Sequence, residues 1–183
     1  MTKVHNGRSS SNYKTKLHHI KAIVFDVDGV FTDGTVLVTE SGDLLRAHHA
    51  KDGYAIRCAV KAGYPVGIIT GGTSLTITKR FDMLGINDVY LGAHDKMDSF
   101  LHFCAKYRLD PAQVLYMGDD IPDIEVMEVC GLPCCPADAA PEVLAAADYI
   151  SLYAGGKGCV RDVVEQMLRL HGKWYSDTQI VST

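Results

Sequence analysis

A chain of 183 residues is long enough for one well-packed domain and short for two, and 47% hydrophobic with 22% charged residues is ordinary for a globular protein. No apolar run approaches the roughly 20 residues needed to span a bilayer, which excludes a bundle of membrane-spanning helices. A formal net charge of −4 offers no basic face to a nucleic acid backbone, while small anionic ligands stay compatible with local positive charge.

The first sixteen residues, MTKVHNGRSSSNYKTK, are polar, lack the apolar stretch of a secretory signal and read as a mobile tail. The apolar run IKAIVFDV (20–27) predicts a strand, and it ends in two carboxylates one residue apart, Asp26 and Asp28. TVLVTESGDLLRAHH follows, two alternating runs around Ser41-Gly42-Asp43, which predicts a β-hairpin where a simple βαβ unit would have its helix. DGYAIRCAVKAG (52–63) has helical spacing and a glycine stop, YPVGIIT (64–70) is a strand, and TSLTITKRFDMLG (73–85) is a helix opened by hydroxyl caps. DVYLG (88–92) and QVLYMGD (113–119) predict strands around a helix over KMDSFLHFCAKYRLD, halted at Asp110-Pro111. The run Pro133-Cys134-Cys135-Pro136 reads as a strand end flanked by turns, DYISL (148–152) as a strand, and GCVRDVVEQMLRLHG as a last helix ending at Gly172.

This alternation predicts an α/β fold, a doubly wound Rossmann-like parallel sheet with helices on both faces and a hairpin after the first strand. One domain over residues 17–175 is expected, with a C-terminal tail at 176–183. The six cysteines (Cys58, Cys104, Cys130, Cys134, Cys135, Cys159) form no CxxC pair and fall mostly among apolar neighbours. They read as structural thiols of a reducing compartment, which places the protein in the cytoplasm.

Ligands of open α/β sheets bind beyond the carboxyl ends of the strands, where this sequence concentrates polar groups. Strand one ends in Asp26 and Asp28, strand two in Thr70-Gly71-Gly72, and the QVLYM strand in Gly118-Asp119-Asp120 with Asp123 a turn later. Lys96 opens the helix after DVYLG. Asp26, Asp28 and Asp119 are hard oxygen ligands suited to Mg²⁺, which takes a few carboxylates plus substrate phosphate. Lys96, the Thr70 hydroxyl and the amides of Gly71 and Gly72 can hold phosphoryl oxygens. An ionised Asp26 can attack phosphorus, and Asp28, two residues on and on the same strand face, can move the proton.

DVDGVFTDG, the IIT of strand two, Lys96 and GDDIPD resemble, in order, the four motifs of the haloacid dehalogenase superfamily of phosphotransferases. AHHAKDGYAIRCAV, Gly155-Gly156-Lys157-Gly158 and GCVRDVVEQML with a trailing HGKW are similar to the 3-deoxy-D-manno-octulosonate 8-phosphate phosphatases, over nearly everything after the tail. The resemblance implies a Mg²⁺-dependent, capless, homotetrameric phosphomonoesterase of lipopolysaccharide precursor synthesis. It implies Asp26 as nucleophile and metal ligand, and Asp28 as acid/base with its carbonyl on the metal. Asp119 follows as metal ligand with Asp120 and Asp123 in support, and Thr70 and Lys96 as phosphoryl holders. It turns His49, Ala50, Lys51, Asp52, Gly53, Arg57 and Arg80, with Gly71 and Gly72, toward the sugar acid. The chain departs from common members at His49 (often Asn), Lys51 (often Arg) and Gly72 (often Arg), which bears on which sugar is used.

Two other functions fit parts of this pattern. A phosphatase of a nine-carbon acid such as 2-keto-3-deoxynonulosonate 9-phosphate would share every catalytic residue. A phosphoryl-accepting receiver domain would also combine acids, Thr and Lys, but with its acceptor Asp on a middle strand. No cap domain is visible in either interval where one is usually inserted, and the hairpin's TVLV and LL runs are too apolar for two strands left in solvent. Joined hairpins of several subunits would bury these runs and bring a neighbour over each site.

Overall fold

The computed structural model describes residues 13–174. Expectations for residues 1–12 and 175–183 lie outside the described residues. Six parallel strands form the main sheet: β1 (Ala22–Phe25), β4 (Val66–Ile69), β5 (Asp88–Tyr90), β6 (Val114–Met117), β7 (Leu132–Cys135) and β8 (Tyr149–Ile150). AIVF, VGII and VLYM are buried throughout. Helices cover both faces, so these strands read as continuous apolar runs and not as alternating ones. Successive residues still pack on opposite sides. Ile23 and Phe25 meet one layer, with Ile56 of α2 (Ala50–Lys61), Phe81 of α3 (Leu75–Asp82) and Met167 of α7 (Cys159–Leu170). Ala22 and Val24 meet the other, with Phe100 of α4 (Lys96–Tyr107), Val126 of α5 (Ile124–Val129) and Val143 of α6 (Pro141–Ala146).

The strand order is β5-β4-β1-β6-β7-β8, with Phe25 in register with Ile68 on one side and Met117 on the other. The chain leaves β1 in one direction, then returns past it to build β6, β7 and β8. The switch of direction at β1 and β6 opens a crevice at their carboxyl ends, the place where such sheets bind ligands.

Three expectations need correction. Pro133 does not mark the end of a strand: it lies inside β7, buried and in register with Tyr116 of β6. Its carbonyl accepts from Asp148 on the β8 side, so its missing N–H falls beside an edge strand of two residues, where no ladder bond is lost. The helix begun at Lys96 stops at Tyr107 and not at Asp110, because Arg108 turns left-handed at φ 53°. The tail expected through residue 16 ends sooner. Tyr13–Leu17 forms a helical turn, α1, whose Tyr13 hydroxyl donates to Gln166 at 2.7 Å and whose Lys16 pairs with Asp148.

The hairpin is present but small: β2 (Leu37–Val38) pairs antiparallel with β3 (Leu44–Leu45). All four residues are exposed, Leu37 and Val38 each at 63%. Among the described residues no helix is long and apolar enough to cross a membrane.

Candidate active site

Above the crevice lies a cleft of about 460 Å³ lined by Asp26, Asp28, Thr70, Gly71, Lys96 and Asp119 among others. Asp26 leaves the end of β1 with its amide donating to Met117 of β6, and it is 7% exposed. Its Oδ2 lies 3.2 Å from Lys96 Nζ, delivered by the first residue of α4. Oxygen atoms of Asp26, Asp119 and Asp123 lie within 4.8 Å of one another. Burial, reinforced by Asp123 and only partly offset by Lys96, pushes the Asp26 carboxyl up to about 8, and burial with the charge of Asp123 pushes Asp119 to about 7. Asp119 Oδ1 is buried without a hydrogen-bond partner. A set of acids short of positive charge, one with an oxygen unpaired, fits a hard divalent cation.

Asp123 organises this set and is not a free ligand. Its Oδ1 accepts from Lys96 Nζ at 2.6 Å and Tyr116 Oη at 2.5 Å, and its Oδ2 from the amides of Asp119 and Asp120 at 3.0 and 3.2 Å. With both oxygens engaged, it fixes the loop that aims Asp119 and the lysine that faces Asp26. Burial works against the Lys96 ammonium, but Asp26 and Asp123 outweigh it and hold its pKa above the ordinary value. Asp120 is occupied in capping the turn Ile121–Asp123. Gly29, at φ +86°, keeps the opposite wall bare: a Cβ there would lie 1.9 Å from Asp119 Oδ2.

Asp28 stands outside the carboxylate cluster. Arg46, the residue after β3, grips it with Nε on Oδ1 at 2.7 Å and Nη2 on Oδ2 at 3.0 Å. Thr70 is 1% exposed, with its Oγ1 accepting from the amide of Gly72 at 3.1 Å. The expected pair of free amides therefore differs here, since the Gly72 N–H is engaged within its own loop. Gly71 has nothing within 4 Å of where its Cβ would be and faces the cleft.

The chain is 39% identical over 167 residues to the 3-deoxy-D-manno-octulosonate 8-phosphate phosphatase of Salmonella typhi, covering 91% of this chain and 89% of that protein. It belongs to the 3-deoxy-D-manno-octulosonate 8-phosphate phosphatase family. A broader family description, haloacid dehalogenase-like hydrolase, matches residues 84–161. The solved structure of the family enzyme from Yersinia pestis superposes with a TM-score of 0.86 at 36% identity, over 88% of this chain and 87% of that one. The Moraxella catarrhalis phosphatase, solved with magnesium ion, phosphate ion and KDO molecule, superposes with a TM-score of 0.85 at 29% identity, over 88% and 92%.

The positions expected to face the sugar acid do not all gather around the cleft of a single chain. His49 and Lys51 line a separate groove of about 570 Å³ with Lys157 and Arg161. Ala50 is the exposed first residue of α2. Asp52 is fully buried, accepts the Arg161 amide at 2.7 Å and holds the start of α7, with burial raising its carboxyl pKa. Gly53 gives room to Arg80, whose Nη2 would lie 2.7 Å from a Cβ there, and Arg57 lies half-buried on α2 outside the cleft lining. Arg46 was not among the residues expected at the site. Nor were Tyr116, hidden in an apolar strand, and His94, which lines the cleft. Only its place directly after Gly92-Ala93 at a strand end pointed to His94.

Proposed function

We propose that this protein hydrolyses 3-deoxy-D-manno-octulosonate 8-phosphate to the free sugar acid and inorganic phosphate, using Mg²⁺ and one domain that carries the whole catalytic set. The observation that carries the reading is Asp26: a buried carboxylate at the end of the central strand, 3.2 Å from a buried lysine and beside a second acid short of positive charge. Membership of the family supports the substrate.

Asp26 and Asp119, with the carbonyl of Asp28, would hold the Mg²⁺, which when bound supplies positive charge to the phosphoryl oxygens and to the acids around it. Lys96 and the Thr70–Gly71 turn hold the phosphoryl group over Asp26. An Asp26 oxygen bonds to phosphorus as the bond from phosphorus to the sugar oxygen breaks, and the Asp28 carboxyl gives its proton to that oxygen. Water then attacks the aspartyl phosphate, Asp28 takes its proton, and Asp26 is released with inorganic phosphate.

The exposed apolar hairpin supports a homotetramer in which a neighbour covers each cleft, shielding phosphoryl transfer from water. In such an assembly the groove of His49 and Lys51 would turn toward a neighbour's substrate. Six cysteines without a disulfide support a cytoplasmic setting.

The test is phosphate release from a panel of eight- and nine-carbon sugar-acid phosphates, compared by kcat/KM with Mg²⁺ and after chelation. The eight-carbon substrate is expected to lead, and activity is expected to vanish on chelation and return with Mg²⁺. A lead for the nine-carbon acid would reassign the substrate while leaving the chemistry in place.

A further inference from the structure

Arg46 has no part in the chemistry above, yet its side chain is 8% exposed and makes the two-point contact with Asp28. We propose that Arg46 is a positioning residue, which holds the Asp28 carboxyl aimed at the leaving oxygen and away from the metal-binding acids, and which ties that aim to the hairpin. The proposal rests on the reading of Asp28 as the proton-transfer group.

Asp28 needs such a partner. Its side chain is 33% exposed, its other side-chain contact is Thr32 Oγ1 at a long 3.5 Å, and a cation-binding set of acids begins two residues away. A carboxylate free to rotate there would turn toward a bound cation. The planar fork of an arginine fixes both oxygens at once, which a lysine cannot do.

Stability does not explain the pair. One partner is a third exposed, and pairs of that kind contribute little. Arg46 also leaves Nη1 buried without a partner, a cost that a purely structural ion pair would avoid. The guanidinium reaches across to the loop after β4, where Nη2 lies 3.6 Å from where a Cβ on Gly72 would be. Arg46 directly follows Leu45 of β3, so a shift of the hairpin moves the guanidinium and the carboxyl with it.

Arg46→Gln, Arg46→Lys, Asp28→Asn and the double variant Asp28→Asn/Arg46→Gln test this in the full chain. Each is assayed on 3-deoxy-D-manno-octulosonate 8-phosphate and on p-nitrophenyl phosphate, whose leaving group needs little protonation. Arg46→Gln is expected to lower kcat/KM, which reports transfer to Asp26 and not the later hydrolysis that both substrates share, about thirtyfold on the sugar phosphate and less than about threefold on the aryl phosphate, with the half-saturating Mg²⁺ concentration nearly unchanged. Arg46→Lys, which keeps charge and loses the fork, is expected to recover part of the loss. The double variant is expected to be no slower than Asp28→Asn alone, since two residues acting as a unit are not additive. Equal losses of kcat/KM on both substrates, or additive losses in the double variant, would overturn the positioning role while leaving the catalytic reading intact. An Asp28→Asn variant of wild-type activity on both substrates would overturn both.

Discussion

Asp26 and Asp119 carry protons in the metal-free fold that they would give up in the unfolded chain, because the folded environment moves them from 3.8 to about 8 and about 7. The unfolded state binds fewer protons than the folded one across that window, so these two groups lower stability as pH rises from about 4 through about 8. In a chelator, the wild-type melting temperature should therefore fall between about pH 6 and pH 8.5 more steeply than that of Asp26→Asn. Mg²⁺ should restore the wild type most at the alkaline end. Parallel slopes for the two proteins would contradict the assignment of the strained acid. Asp26→Asn should also melt higher than wild type without metal and yet lose turnover. Retention of a tenth of kcat, a change of only ~1.4 kcal/mol, would be too small for loss of the attacking atom. At Gly29 the expectation runs the other way. Gly29→Ala must displace Asp119, since its Cβ would fall 1.9 Å from Oδ2, and it should weaken Mg²⁺ activation at least tenfold, read from a metal titration of activity.

At the scale of elements, the hairpin has two residues in each strand and every one of them exposed, which is below what an isolated hairpin needs for stability in water. Glutamate at Val36 or Val38 should break an assembly built on it, and sedimentation velocity should then show smaller species. The melting temperature of the separated subunits should change little, because neither residue belongs to the packed core. An unchanged sedimentation coefficient would show that the subunits are not joined through the hairpin. The hairpin was legible in the sequence because its turn and its alternating runs are local signals. Strands β1, β4 and β6 were legible for a similar reason: runs buried on both faces and bounded by Asp or Gly have few other readings. β7 was not, because a proline inside it counts against a strand until the neighbouring strand is known to be short on that side. The carboxylates and Lys96 could be found at strand ends. The partnership of Arg46 with Asp28 spans a hairpin whose geometry no spacing rule fixes, and the orientation of His49, Lys51 and Asp52 depends on how α2 meets α7.

For the molecule as a whole, β1 lies between strands from opposite halves of the sequence, and neither half completes the sheet. A fragment ending at residue 112 would lack β6 and leave one edge of β1 unpaired. Such a fragment should fail to give a cooperative melt and should associate on concentration, which light scattering would register. Far along the chain, the 155–158 turn closes beneath the loop that follows Asp26. Gly156 donates its amide to the Val30 carbonyl at 2.9 Å, and a Cβ on Gly155 would lie 1.9 Å from the Gly29 carbonyl oxygen. This contact sets a timetable for biosynthesis. At about 5–20 residues per second, on the order of ten seconds separate emergence of Asp26 from that of the turn beneath it. Through that interval β1 and β6 can already set the acids of the first and last motifs side by side, while the loop that follows Asp26 still lacks the turn that braces it from beneath.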